Sequence, residues 1–392
     1  MTIPLIISIC VLLLLAYFFD LTSAKTKIPS VVSLLIIGWF VKQLADFLEI
    51  SVPDLTPVLP VLGTIGLILI VLEGSFELEL KKSKLTFIGK ASIIALVPMI
   101  LLSVLLAFAF QYFGSSGFKI GLANAIPFAI ISSAIAIPTA HNLITSKREF
   151  ITYESSLSDI FGVIFFNFIT LNDNIGTQSF GKFILELLLI LVITFVSTIL
   201  LAYLLSKIKH HVKFVPIILM IVLIYTISKI YHLPALIFIL LFGLFLGNLD
   251  EFKSNKYIQK LKPDILNAEV FKLKSLTGEI TFLIRSLFFM LFGYLLKVDE
   301  LLNTETMLWS ICITVFIFLL RYLFLKLFKM PISPLLFIAP RGLITILLFL
   351  SIPVHLKMDI ADNSLITQVI ILTAFIMMFG LMMSKSTKKV EN

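Results

Sequence analysis

One apolar stretch of the chain, residues 149–170, carries a dense group of acidic and hydroxyl side chains. Its central residues read Glu154-Ser155-Ser156-Leu157-Ser158-Asp159. In a helix, Glu154 and Ser158 share one face, and Ser155 and Asp159 share another about 100° around the axis. At about 1.5 Å per residue, Asp159 lies about 15 Å from the start of the stretch, near the middle of a bilayer. A carboxylate at this depth faces a protein interior or a water-filled cavity, and it marks a path for ions or protons.

A basic residue lies at a similar depth elsewhere in the chain. Arg341 is about eight residues inside the apolar run 332–352. Because a buried carboxylate and a buried guanidinium each need a partner, we predict an ion pair between Glu154 and Arg341, with Ser158 as a third member. Asp159 is then left without a fixed partner. The alternative is a static network that contains all three charges.

An unpaired Asp159 can bind a proton or a small monovalent cation. Removal from water favours the neutral carboxyl group, so the two ions compete for one site. Ser155, Ser132 and the carbonyl groups of residues 132–136 supply further oxygen atoms, which suit a hard cation. A single carboxylate predicts the exchange of one cation for one proton without net movement of charge.

Two further ionic residues are possible helpers. Glu73 lies near the inner end of its apolar run, beside Gly74, and is either a solvated acid or a member of the ion network. Arg285 lies six residues after Glu279, on a different helix face, so no local partner can be named. The sequence implies no cofactor.

Composition indicates a polytopic helical membrane protein. The chain has 392 residues, of which 59% are hydrophobic and 14% are charged, and its mean hydropathy is +1.10. We predict an all-α fold of about 13 transmembrane helices from apolar runs at 3–19, 28–48, 57–73, 87–112, 118–145, 149–170, 181–206, 213–231, 233–247, 279–297, 306–328, 332–352 and 364–384. The stretch 213–247 is the least secure of these.

The distribution of basic residues predicts the orientation. With the N-terminus outside and 13 spans, most of the 31 Lys and Arg residues fall on the cytoplasmic side, including Arg321 at the inner end of its span. The outside set is small and includes Lys229. The net charge of +8 is therefore a topology signal and does not indicate nucleic-acid binding. The short tail 386–392 is predicted to be cytoplasmic.

Two spans contain interruptions. The fifth carries Ser132-Ser133-Ala134-Ile135-Ala136-Ile137-Pro138, and the twelfth carries Ala339-Pro340-Arg341-Gly342. Seven spans separate them, so they run in opposite directions, as in an inverted repeat with one discontinuous helix in each half. The halves would be about 1–206 and 207–385. The alternative is two ordinary proline kinks.

Cysteine and histidine residues indicate no fixed metal site. Cys10 and Cys312 lie in apolar runs, which fits buried thiols better than a disulfide framework. The five His residues show no ligand spacing, and the pair His210-His211 is best interpreted as solvated.

Several segments resemble the monovalent cation:proton antiporter superfamily, of the sodium/proton exchanger type. YESSLSDIFGVIFFN at 153–167 resembles its Glu-Ser-x-x-Asn-Asp helix, and PRGLITILLFLSIP at 340–353 resembles its Arg-Gly segment. Other similar segments follow in the same order: KIPSVVSLLIIG at 27–38, LGTIGLILIVLEGSFELEL at 62–80, ISSAIAIP at 131–138, LPALIFILLFGLFLGN at 233–248 and EITFLIRSLFFMLFGYLL at 279–296.

The resemblance implies a secondary antiporter that works by alternating access, with a dimer-forming scaffold and a mobile core at about 87–170 and 306–384. It implies Asp159 as the ion carrier, the Glu154–Arg341 pair, and Ser132 and Ser155 as ligands. Two departures leave the choice between Na⁺ and K⁺ open. Ser158 stands where the family usually has Asn, and Ser133-Ala134 stands where many sodium/proton exchangers have Asp-Pro, which makes Ser133 a further helper.

The implied partners are Na⁺ or K⁺, protons, the lipid bilayer of the inner or plasma membrane, and a second copy of the chain. The main alternative function is a gated cation channel or a non-transporting sensor on the same fold. A membrane enzyme is disfavoured because no nucleophile or metal set is evident.

Overall fold

The computed structural model describes residues 10–19, 21–22, 29–49, 54–79, 81, 84–114, 117–140, 143–172, 176–208, 210, 212–252, 259 and 263–384. Three predicted features lie wholly or partly outside these residues: the start of the first span at 3–9, His211, and the tail 386–392.

Over the described ranges the fold is all-helical, as predicted, and contains no β-strand. Fifteen α-helices follow one another: α1 (Cys10–Phe19), α2 (Ser30–Phe47), α3 (Val58–Glu77), α4 (Leu85–Gly114), α5 (Phe118–Ala129), α6 (Ser133–Ala140), α7 (Thr145–Leu171), α8 (Thr177–Lys207), α9 (Phe214–Ile230), α10 (Leu236–Gly247), α11 (Pro263–Leu295), α12 (Val298–Leu301), α13 (Thr304–Leu327), α14 (Leu343–Leu350) and α15 (Asn363–Met383). Short 3₁₀ turns lie at Leu249–Phe252, Leu335–Phe337 and Val354–Leu356.

Many of these helices are suited to a bilayer. Among the described residues, nine helices are long and apolar enough to cross a membrane, and α1, α9 and α10 are shorter apolar helices. The protein is thus a multi-pass membrane protein. The uncertain stretch 213–247 forms two short helices, with His232 in the left-handed region at φ 59° between them. The total of 13 spans and the orientation stay predictions.

The helices pack in two groups. In the first group, α11 packs on α2 and α3, and α10 packs on α3 and α8. In the second group, α4 packs on α5, α7 and α13, while α6 packs on α7 and α13 packs on α15. Helix α3 forms much of the contact between the groups, because it lies against α6, α7 and α14.

Two interruptions meet inside the second group. Residues 130–132 separate α5 from α6, and residues 338–342 lie between the 3₁₀ turn Leu335–Phe337 and α14. The Ser132 N–H donates a 2.9 Å hydrogen bond to the Pro340 carbonyl, so the two breaks are in direct contact. The first break precedes the predicted Pro138, which lies inside α6, whereas Arg341 and Gly342 lie in the second break.

A charged cluster ties α3 to α7 at the end of α7 that is predicted to be cytoplasmic. Lys84 Nζ lies 3.0 Å from Glu79 Oε2 and 2.8 Å from Glu149 Oε1. The Tyr153 hydroxyl donates to the Glu79 carbonyl at 2.7 Å. The Lys81 and Lys84 ammonium groups hold the pKa of Glu79 below its usual value. The cluster therefore links the segment after α3 to α7 at this end of the helix.

Close packing of α2 on α11 gives a testable prediction. A Cβ atom at Gly293 would lie 2.9 Å from the Leu35 Cα, so Gly293→Ala must push the helices apart. We expect a loss of about 1–3 kcal/mol in the free energy of unfolding, because backbone cannot yield as a side chain can. Thermal denaturation of the purified protein in detergent measures the effect.

The matched control is Gly89→Ala in α4, where a Cβ atom would meet nothing within 4 Å. Alanine is the better helix former, so this variant should melt at or slightly above the wild-type temperature. Equal melting of both variants would contradict the close packing of α2 on α11.

Candidate functional site

Asp159 lies in the middle of α7 and is 1% exposed. Its Oδ2 atom accepts hydrogen bonds from the Ser133 hydroxyl and from the Ser133 N–H, the latter at 3.3 Å. Its Oδ1 atom is buried and has no hydrogen-bond partner, and no basic side chain pairs with the carboxylate among the described residues. The structure therefore places a buried carboxylate with one oxygen available at the first helix break.

Ser158, the neighbouring residue, supports the same break. Its hydroxyl accepts a 3.0 Å hydrogen bond from the Ile131 N–H. Ile131 lies in the break and Ser133 begins α6, so their N–H groups have no acceptor in a preceding helical turn. Helix α7 thus supplies the N-terminal cap of α6 through two adjacent side chains.

Arg341 supplies the opposite cap. Its guanidinium donates to the carbonyl groups of Phe128 at 2.7 Å, Ala129 at 3.2 Å and Ala339 at 2.8 Å, and the side chain is 2% exposed. Phe128 and Ala129 end α5, so a positive charge lies at the negative end of that helix. The guanidinium thus bonds both to the carbonyl groups that end α5 and to a carbonyl group of the second break.

The predicted ion pair between Glu154 and Arg341 is wrong, because Glu154 has a different arginine partner. Glu154 pairs with Arg321 of α13, in two parallel hydrogen bonds of 2.6 and 2.8 Å. Arg321 Nε also donates to the Leu335 carbonyl at 2.7 Å, and the side chain is only 4% exposed. Arg321 had been assigned to the inner end of its span on the basis of charge distribution alone. Similar depth along two helices does not determine which faces meet.

The predicted hydroxyl ligands are all buried, but they have different contacts. Ser133, and not Ser132, bonds to Asp159. Ser155 donates to the Ile151 carbonyl of its own helix at 2.7 Å. The hydroxyl groups of Ser132 and Ser156 are buried without a hydrogen-bond partner. Ser156 and Arg321 were missed as site residues, although Arg321 could have been found as a charge inside the apolar run 306–328.

The two other predicted helpers lie outside this cluster. Glu73 is half-buried on α3, and its Oε1 atom lies 3.4 Å from where a Cβ atom of Gly278 would be. Arg285 is buried on α11. Neither side chain bonds to Asp159. Cys10 and Cys312 are exposed thiols on helix surfaces, so their predicted burial is wrong.

The donor atoms around the first break are oxygen atoms. No group of three or more His, Cys, Asp or Glu residues that could hold a metal ion occurs in the described part of the chain. The donors around the break are one carboxylate, serine hydroxyls and backbone carbonyls. Such oxygen atoms suit a hard cation that is held weakly enough to leave.

Comparisons with known proteins give a family and a fold for the chain. The family model "Sodium/hydrogen exchanger, transmembrane" matches residues 10–388. Two solved structures of the sodium proton antiporter MjNhaP1 from Methanocaldococcus jannaschii share the fold. The match to the structure at pH 8 has a TM-score of 0.68 and 18% sequence identity, and it covers 96% of this chain and 95% of the MjNhaP1 chain. The match to the structure from electron microscopy has a TM-score of 0.67 and 19% sequence identity, and it covers 97% of this chain and 95% of the MjNhaP1 chain. No curated protein matches the chain.

A double-mutant cycle tests the revised ion pair. Arg321→Gln and Glu154→Gln each leave a buried charge without its partner, so each should cost about 3–5 kcal/mol in the free energy of unfolding. The double variant should regain much of this loss. Equilibrium unfolding in mixed micelles gives the coupling energy.

The comparison cycle uses Glu154→Gln with Arg341→Gln. Because Arg341 bonds only to carbonyl groups, its coupling to Glu154 should be weaker than that of Arg321. A larger coupling energy for Arg341 would reject the pairing seen in the structure.

Proposed function

Because the chain belongs to the sodium/hydrogen exchanger family, a family of transporters and not of enzymes, we propose that it exchanges Na⁺ or K⁺ for protons by alternating access. Asp159 is the ligand that both ions share. The observation that supports this role best is the asymmetry of its carboxylate. Ser133 bonds to one oxygen, and the other is buried without a partner.

The surroundings of Asp159 favour competition between the two ions. A carboxylate that is removed from water gains from binding either a proton or a cation, and one oxygen cannot bind both. A cation at Oδ1 needs further oxygen atoms, and the unpartnered hydroxyl groups of Ser132 and Ser156 are the nearest candidates in sequence. Ser155 joins them if it releases the Ile151 carbonyl.

The buried charges support exchange of one cation for one proton. Glu154 and Arg321 neutralise each other, so Asp159 is the carboxylate of this cluster that remains to bind an ion. Binding of either a proton or a monovalent cation then adds the same single positive charge. The loaded forms that cross in opposite directions carry equal charge, so the cycle is electroneutral.

Packing of the helices supports a division into a moving core and a scaffold. We assign α4–α7 and α13–α15 to the core, and α2, α3 and α8–α11 to the scaffold. This division agrees with the expected core ranges of 87–170 and 306–384 and follows the two packing groups. Only 22% of the most apolar 18-residue stretch of α8 is buried inside the protein. A long apolar face of this helix is thus left for the lipid bilayer or for a second copy of the chain. We propose a homodimer with the N-terminus outside and the C-terminus in the cytoplasm.

A gated cation channel is the second hypothesis, and neither the family nor the fold favours it. A channel would pass the cation down its gradient without moving protons. The same vesicle assay therefore separates the two functions.

The first test of the antiport mechanism is Asp159→Asn. The amide keeps the size of the side chain but binds neither a proton nor a cation as a carboxylate does, so cation-dependent pH changes should disappear. Proteoliposomes with a trapped pH-sensitive dye receive Na⁺, Li⁺ or K⁺ in turn, and the wild-type responses give the selectivity. The matched control is Asp359→Asn, an exposed residue in the loop before α15, which should keep the wild-type rate.

Full cation-dependent proton movement in Asp159→Asn would reject the assigned role. Size-exclusion chromatography shows whether the variant is folded, so loss of activity through misfolding is recognised separately.

The second test is the charge moved in each cycle. Transfer of one net charge would couple the rate to voltage by about 2.3 kcal/mol per 100 mV. We expect no sustained current in solid-supported membrane recordings, although proton movement in the same vesicles is readily detected. A steady current that scales with the transport rate would contradict exchange of one cation for one proton.

A further inference from the structure

A cavity of about 190 Å³ lies beside the proposed ion site. It is bounded by α3, α7, α9 and α14, so both the core and the scaffold contribute to its wall. Val163, Phe166 and Asn167 line it from α7. These residues follow Asp159 by four, seven and eight positions and therefore share its helix face. The cavity begins about 6 Å from Asp159 along the axis of α7.

At the opposite end of α7, Lys84 bonds to Glu79 and to Glu149, which joins the segment after α3 to α7. Between that cluster and Asp159, a Cβ atom at Gly74 of α3 would lie 3.2 Å from both Ile137 and the Ser156 hydroxyl, so the packing is tight. The cavity therefore lies on the other side of Asp159 from this tightly packed segment.

One charged side chain lines the cavity. Lys229 lies in the last turn of α9 and is exposed, and it is the only ionic residue among those described that form the cavity wall. It forms no ion pair or hydrogen bond with a described acidic residue. The other polar groups of the wall, on Thr64, Asn167, Tyr225 and Ser351, are neutral. A positive charge therefore lines a cavity that lies along the same face of α7 as Asp159.

We infer that this cavity is the path of the cation between Asp159 and the solution on its side, and that Lys229 lowers the affinity for cations from that side. The inference rests on the proposed antiport function. A charge in a cleft with apolar walls changes the local concentration of small ions. An ammonium group disfavours cations there, so it promotes release of the cation from Asp159 and weakens its rebinding.

The first experiment compares Lys229→Gln with Lys229→Arg in inside-out and right-side-out membrane vesicles. Without the charge, the apparent KM for the cation should fall about two- to fivefold in one vesicle orientation only, while the maximal rate changes little. Lys229→Arg keeps the charge and should keep the wild-type KM. The effect should shrink when an impermeant salt such as choline chloride raises the ionic strength, because salt screens it.

The matched control is Lys182→Gln. Lys182 is exposed on α8, lies 3.8 Å from Glu186 and does not line the cavity. Its removal changes the net charge of the protein by the same amount, so an equal fall in KM would show a general surface effect and would overturn the inference.

A cysteine at the same position tests the charge directly. Lys229→Cys is made in a background with Cys10→Ser and Cys312→Ser, because both native thiols are exposed. A methanethiosulfonate that adds a trimethylammonium group should raise the KM back towards the wild-type value. A reagent of similar size that adds a sulfonate should lower the KM further. Equal effects of both reagents would indicate steric block and would reject an electrostatic role.

The outcomes separate this inference from the proposed function. If Lys229→Gln keeps cation-dependent proton movement with an unchanged KM on both sides, the role of Lys229 is wrong and antiport stands. If the wild-type protein shows no coupled movement of cation and proton, antiport itself is wrong.

Discussion

The structure depends on how two broken helices are capped inside a membrane protein. Backbone N–H and carbonyl groups that lack partners in a low-dielectric interior are costly, so each break must be satisfied by side chains or by the other break. Asp159 and Ser158 accept from N–H groups at the start of α6, and Arg341 donates to carbonyl groups at the end of α5. The charges also match the helix dipoles, with the negative group at an N-terminus and the positive group at a C-terminus. Removal of either cap would leave several polar groups unpaired.

This capping gives Asp159 two roles that are physically linked. The oxygen that binds Ser133 holds the first turn of α6, and the other oxygen of the same carboxylate is available to an ion. Neutralisation of the carboxylate by a proton or a cation weakens it as an acceptor for the Ser133 N–H, since charge-assisted hydrogen bonds are the stronger ones. Under the proposed function, ion loading is therefore coupled to the backbone of the break. Glu154 and Arg321 do not share this role, because their two parallel bonds satisfy them within the core.

Much of this site could be predicted from sequence, and the errors have a common physical cause. Charges inside apolar runs are costly, so Asp159, Glu154 and Arg341 were recognisable as interior residues without a structure. The partner of Glu154 could not be recognised from the sequence, because it depends on how α7, α13 and the second break are rotated against each other. Ser133 and Ser132 are adjacent in sequence, and a shift of one residue in the position of the break decides which one bonds to Asp159. The break itself lies before Pro138, which is the sixth residue of α6, so the proline does not mark the interruption.

The surface of α3 is compatible with the proposed movement of the core against the scaffold. Within the scaffold, helices approach so closely that glycines meet the backbone of a neighbour, which fixes their relative positions. Gly38 and Gly293 do so between α2 and α11, and Gly247 of α10 does so against Phe76 of α3. Towards the core, α3 instead presents Gly66 and Gly74, and these meet side-chain atoms of Leu343, Ile137 and Ser156. A helix face of small residues that packs against mainly apolar side chains makes few hydrogen bonds, so few must break when the face slides. The polar contacts around Lys84 join the segment after α3 to α7 at one end, so a sliding movement would have to break them.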